Sequence, residues 1–203
     1  MIDKISSFFS KLFESRSKFS HEKKSESIDG LYFHEEFSRQ VALYPYENYG
    51  YLKSKNEQSR SFAKSNSDEN GLANAIYVIE EKEPSALVDK KIGLSEIGSI
   101  CLNFGFEKVE NIYSGYNPDI YKQDSFVGYA FKNAEIFVSF EGETAIRIYL
   151  NGFRFQRDPE VKATLQNVLF QIGTAFNLIA NDWNLGEIID LISMEKVEAY
   201  LNS

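Results

Sequence analysis

Between residues 106 and 150 the chain carries a succession of short segments rich in β-branched and aromatic residues, and directly afterwards one long helical period. This order constrains the fold more than anything else in the sequence. Segments near Lys108 to Tyr113, Phe126 to Lys132, Ile136 to Glu141 and Thr144 to Leu150 read as strands, with Glu141-Gly142-Glu143 as a tight turn between the last two. The links between them are short, so an antiparallel meander is more economical than parallel strands with crossover helices. Asp158-Pro159-Glu160 then opens a helix. Asp158 can cap it, proline fits its first turn, and Glu160 complements its dipole. Val161, Leu165, Val168, Leu169, Ile172, Phe176 and Ile179 lay down a wide apolar face for packing across the sheet. The expected class is α+β: a mostly antiparallel sheet packed by a long C-terminal helix.

The flanks complete this outline. Ile2, Ile5, Phe8, Phe9, Leu12 and Phe13 recur at helical spacing, which predicts an amphipathic helix over residues 2 to 16. A polar stretch ending in Gly30 follows, so residues 1–28 are expected to form a helix and linker, and residues 29–203 a single α+β domain. Residues 31 to 52 read as one or two strands, with Pro45 marking an edge or a break. Lys53 to Gly71 is polar apart from Phe62 and reads as a long loop. A strand is expected at Ala75 to Glu80 and a short helix from Leu94 to Phe104, stopped by Gly105. Asp182-Trp183-Asn184 is expected to end the long helix, with Trp183 plugging the core at a helix-to-strand junction. A strand within Leu185 to Ile192 and a final helix capped by Ser193 close the chain.

Charge and cysteine content narrow the function. The formal charge is −8, yet residues 1–28 hold six basic and four acidic side chains, so the remainder carries −10. An acidic body repels phosphate backbones and favours a basic protein partner, so nucleic acid is not expected as a ligand. The single cysteine, Cys101, lies in an apolar run and reads as a buried small hydrophobe in a reducing compartment. No run approaches the ~20 apolar residues of a membrane span, and no leader pattern follows Met1. The chain is expected to begin at Met1 and to stay in the cytoplasm.

Catalytic chemistry is sparse. His34-Glu35-Glu36 lacks the second histidine of a zinc-protease helix, since Ser38 holds that position, and the other histidine, His21, falls in the linker. There is no nucleophile elbow, phosphate loop or dinucleotide fingerprint. Carboxylate-only cation sites stay open, although Asn66 to Gly71 lacks calcium-loop spacing. Glu141 and Glu143 flank a turn glycine and read as solvated hairpin charges. No catalytic, cofactor or metal set is expected, and the chain is read as a non-enzyme. Arg147, Arg154 and Arg157 are expected to pair with carboxylates of the body.

The stretch from 31 to 51 is different in kind. Tyr32, Phe33, Phe37, Tyr44, Tyr46, Tyr49 and Tyr51 interleave with Glu35, Glu36 and Glu47, giving rigid aromatic contact area in a negative field. Half-buried strands with tyrosines over a core would give the same pattern. Phe33-His34-Glu35-Glu36-Phe37, with Gln40 and Pro45 following, resembles the F-H-E-D-D-[YF] opening of small bacterial immunity proteins of polymorphic or contact-dependent toxin systems, Glu36 standing for an Asp. Asp182-Trp183, then Ile189-Asp190-Leu191, then Tyr200-Leu201 is similar to their closing segment. The resemblance implies a cytoplasmic protein that binds one cognate toxin and blocks its active site. On that reading the contact surface is expected at Glu35, Glu36, Tyr44, Tyr46, Glu47 and Tyr49, aided by a loop around Asp68 and Glu69. Two other classes stay open: a peripheral membrane or scaffold component attached through residues 2–16, and a hydrolase using His34 and Glu35.

Overall fold

The computed structural model describes residues 30–33, 41–67, 82–116, 119–154 and 156–203. Four α-helices lie among them: α1 (Tyr49–Ser65), α2 (Leu94–Asn103), α3 (Pro159–Phe176) and α4 (Met194–Asn202). The strands are β1 (Leu31–Tyr32), β2 (Val41–Pro45), β3 (Glu107–Val109), β4 (Ile112–Tyr116), β5 (Asp119–Lys122), β6 (Phe126–Phe131), β7 (Ala134–Glu141), β8 (Thr144–Asn151), β9 (Leu178–Asp182) and β10 (Glu187–Asp190). The class is α+β, with a mostly antiparallel sheet and a helix closing the chain. The expected helix at residues 2–16 and the expected strand at Ala75 to Glu80 lie outside the described residues.

Seven strands form one antiparallel sheet in the order β10-β9-β2-β8-β7-β6-β3. The expected meander β6-β7-β8 runs from the central strand, β8, to the strand beside the β3 edge. Both hairpin loops have two residues, and the first of each, Lys132 (φ 58°) and Gly142 (φ 59°), takes the left-handed conformation that suits a twisted hairpin. Alternation along the strands builds two cores. Val127, Tyr129, Ile136, Val138, Ile148 and Leu150 face α2, α3 and α4. Phe137, Ala42, Tyr44 and Ile179 face the other way, where α1 and a small sheet, β1-β4-β5, cover them. The small sheet pairs β1 parallel and β5 antiparallel to β4.

Several elements differ from expectation. Residues 53–65 are helix, not loop. The buried or half-buried positions of α1 are Tyr51, Leu52, Lys55, Asn56, Ser59 and Phe62, and from residue 53 on the inward stripe is written largely in polar letters, which hides the period from a hydrophobicity reading. The long helix stops at Phe176, because Asn177 adopts the left-handed conformation (φ 54°) and its N–H bonds Gly173 O. Leu178, Ile179 and Ala180 then run as a strand buried on both faces, and a continuous apolar run reads as helix or strand equally well. Asp182 therefore ends β9 rather than a helix, and Trp183 begins the turn into β10. Of the two expectations for Pro45 the break holds and the edge does not: it closes an interior strand, and Tyr46–Asn48 turns directly into α1. The segment Lys108 to Tyr113 divides between two sheets at Glu110-Asn111, and β5, exposed along its length, carries no burial signal for a sequence reading to find.

Elsewhere expectation and structure agree closely. Asp158 Oδ1 accepts from Glu160 N at 2.9 Å, and Ser193 Oγ accepts from Lys196 N at 3.4 Å. Cys101 is fully buried on the inner face of α2, and desolvation pushes its thiol pKa up to about 12. Among the described residues no helix is long and apolar enough to cross a membrane.

Candidate functional site

The tyrosine-rich stretch lies where β2 passes into α1, and two buried side chains hold that junction rigid. Asn48, fully buried, donates through Nδ2 to Ser85 O (2.7 Å) and accepts at Oδ1 from Ser85 N (3.0 Å), clamping the turn to residues 82–86. Leu52, one turn into α1, is equally buried against Ala42, Tyr44 and Ile179. With the backbone fixed, Glu47 and Tyr49 point outward, while Tyr46 lies half-buried against the cluster of Ala42, Tyr44, Leu52 and Ile179. Tyr49 is 41% exposed, and its ring stacks on that of Tyr46 with centroids 6.1 Å apart and planes 21° apart. Stacking holds the pair as one flat aromatic surface, in the offset geometry aromatic rings prefer. Glu47, between them in sequence, meets Lys90 at 2.7 Å. The Lys90 hydrogen bond holds the Glu47 carboxyl below the usual carboxylate range. Because Glu47 is half exposed, that pair is weak and open to exchange with another cation.

Tyr44 faces the other way. Its hydroxyl accepts from Trp183 Nε1 at 3.1 Å, and burial pushes its pKa up to about 12. With Tyr51, Leu52 and Trp183 it walls a cavity of about 350 Å³ beneath the aromatic turn. Arg147 and Glu83 stand at this cavity, with both Glu83 oxygens within 3.0 Å of Arg147 Nη1. Lys55, though 6% exposed, reaches over the Tyr51 ring at 5.7 Å. Asn56 Nδ2 donates to Asn181 Oδ1 at 2.8 Å, while Asn56 Oδ1 and Asn181 Nδ2 have no partner in this buried contact.

The expected surface is thus divided. The half-buried Tyr46 and the exposed Glu47 and Tyr49 come together at the turn, whereas Tyr44 is an interior residue, 8% exposed, and is removed from the contact set. Glu35, Glu36, Asp68 and Glu69 lie outside the described residues, as does His34. Sequence reasoning missed Glu83 as the partner of Arg147, 64 residues away, since nothing local in the sequence links them. Trp183 is half-buried as a core plug, but in a strand-to-strand turn.

No protein-family model, curated protein or solved structure matches the chain. Its function has to be read from its own chemistry. The closing segment singled out in the sequence proves to be a structural unit. Asp182 Oδ1 accepts from Asn184 N (3.0 Å) and Leu185 N (3.1 Å), building the β9–β10 turn, while Oδ2 accepts from Tyr200 Oη (3.3 Å) and lies 3.6 Å from Arg154 Nη1. Burial first, and then the Asp182 charge, raise the Tyr200 pKa. Asp182 and Tyr200 therefore join the last hairpin to the last helix. Among the described residues no three His, Cys, Asp or Glu side chains converge as metal ligands do.

Proposed function

We infer that this chain is a protein-binding inhibitor, an immunity protein that neutralises a cognate basic toxin by covering its active site. The observation that carries this reading is the stacked Tyr46–Tyr49 pair beside Glu47, displayed on a turn locked from beneath by Asn48. Rigid tyrosines supply contact area at small entropic cost, and such residues dominate the energetics of protein interfaces. The body around them carries about ten negative charges beyond its positive ones, which speeds encounter with a basic surface and repels acidic ones. Glu47 would exchange Lys90 for a cation of the partner.

Affinity capture from lysate of the source cell tests the reading, with the full chain and a Tyr46→Ala/Tyr49→Ala variant run in parallel at low and high salt. One stoichiometric basic protein is expected on the parent chain, released by salt. The variant should bind it at least about 30-fold more weakly, which corresponds to about 2 kcal/mol. An acidic partner, salt-insensitive binding, or equal capture by the variant would overturn the assignment. An unchanged melting temperature in the variant would show that the tyrosines act on the partner rather than on the fold.

A further inference from the structure

A second concavity lies on the far side of the seven-stranded sheet. It is a groove of about 640 Å³ between α2, the β7–β8 hairpin and the residues that follow β5. Leu94, Leu102, Val127 and Phe140 give it apolar walls, and Leu102 is the most exposed large hydrophobic side chain among the described residues, at 53%. Tyr129 lies at its floor. This residue is 2% exposed, and burial pushes its pKa up to about 12. Gly98 lets α2 come down onto it, since a Cβ there would lie 2.9 Å from Tyr129 Oη. A groove with apolar walls and an exposed leucine on its rim is a seat for apolar side chains, and the strand register indicates whose.

β1 runs parallel to β4, with Leu31 opposite Ile112, and Leu31 N donates to Asn111 O at 3.0 Å. Walking back from Leu31 toward Met1 therefore follows the same direction as walking back from Ile112 through Asn111 and Glu110 to Lys108. Glu110 and Lys108 line the groove, and so does Lys122, which donates to Asn111 Oδ1 at 2.8 Å. The chain ahead of Gly30 thus enters the small sheet at the rim of the groove. The geometry points to residues 2–16 of this same chain as the occupant, with Ile5, Phe8, Phe9 and Leu12 seated over Tyr129 and against Leu102. Those four positions share one face at helical spacing. Residues 17–29 give a tether reaching about 40 Å when extended. Residues 2–16 carry Lys4, Lys11 and Arg16 against Asp3 and Glu14, a net of +1, and the groove is lined by Lys108 and Lys122 against Glu110, Asp124 and Glu143, a net of −1, so the two are opposite in sign on an acidic body.

The test places a photo-crosslinking benzoylphenylalanine at Leu102 in the full chain, which is exposed enough to accept it, and irradiates at dilute concentration. Mass spectrometry of the monomer is expected to show cross-links into residues 2–16, lost when Phe8→Asp and Phe9→Asp are introduced together. Cross-links only between two copies would assign the groove to a partner molecule and overturn the proposal, as would photolysis without any product in residues 2–16. Amide hydrogen exchange on the unlabelled chain gives an independent reading. Residues 94–103 and 122–129 should exchange faster in the Phe8→Asp/Phe9→Asp variant than in the parent, and identical exchange would count against the docking.

Discussion

Asp182 shows how much a single side chain can organise. Its two oxygens serve four groups, two backbone N–H groups of the β9–β10 turn, the Tyr200 hydroxyl and the Arg154 guanidinium, all at a carboxylate 1% exposed. Asp182→Asn keeps the shape but turns one acceptor into a donor facing donors, which should cost about 3 kcal/mol in urea unfolding. A cost below about 1 kcal/mol would mean that the turn is held by packing alone. Tyr44 allows a pH prediction. Its folded-state pKa is raised from 10.0 to about 12, so the folded chain favours the neutral phenol. The stability this contributes is fully present below pH 10 and is lost as the pH rises through 10 toward 12. Trp183, the single tryptophan and the donor to that hydroxyl, reports the change directly by fluorescence. Tyr44→Phe should remove part of the alkaline loss of stability, while lowering stability at neutral pH by about 1 kcal/mol through the lost hydrogen bond.

Among elements, α3 is the one whose fit is most restrictive. It packs its apolar stripe on the sheet, and at Gly173 it also meets the Leu191 turn so closely that a Cβ would overlap Leu191. Gly173→Ala is expected to cost about 3 kcal/mol by forcing α3 away from that turn, measurable as a lowered melting temperature. A neutral result would show that the turn yields freely. This helix was legible from Asp158 to Phe176 because its stripe is apolar and its cap lies beside it in sequence. Its end was not, since the signal is the backbone conformation of Asn177 and the apolar run after it fits either period. α1 was hidden for the opposite reason: Lys55 and Asn56 occupy inward positions that only tertiary contacts can stabilise. The meander β6-β7-β8 was legible because its loops are local. The assignment of β4 and β5 to a separate sheet was not, because it depends on β1, roughly eighty residues earlier, pairing with Ile112 and Tyr113. The candidate surface follows the same division. Tyr46, Glu47 and Tyr49 are neighbours in sequence and in space, whereas the inward turn of Tyr44 depends on Trp183 in a distant hairpin.

For the molecule as a whole, the two faces of the main sheet have separate tasks. One is sealed by α2, α3 and α4 and ends in the groove assigned to the chain's own first residues. The other is covered by α1 and the small sheet, and at its edge displays the tyrosine pair. The acidic charge belongs to the body rather than to residues 1–28, so long-range attraction of a basic partner does not depend on that segment. The central claim is inhibition, and titration tests it most directly. The purified partner obtained by capture is assayed for its own activity while the full chain is added. Activity should fall linearly to zero at one equivalent in low salt and recover as salt is raised, with the Tyr46→Ala/Tyr49→Ala variant shifting the curve to higher concentration. A partner that stays fully active with the chain stoichiometrically bound would contradict the account.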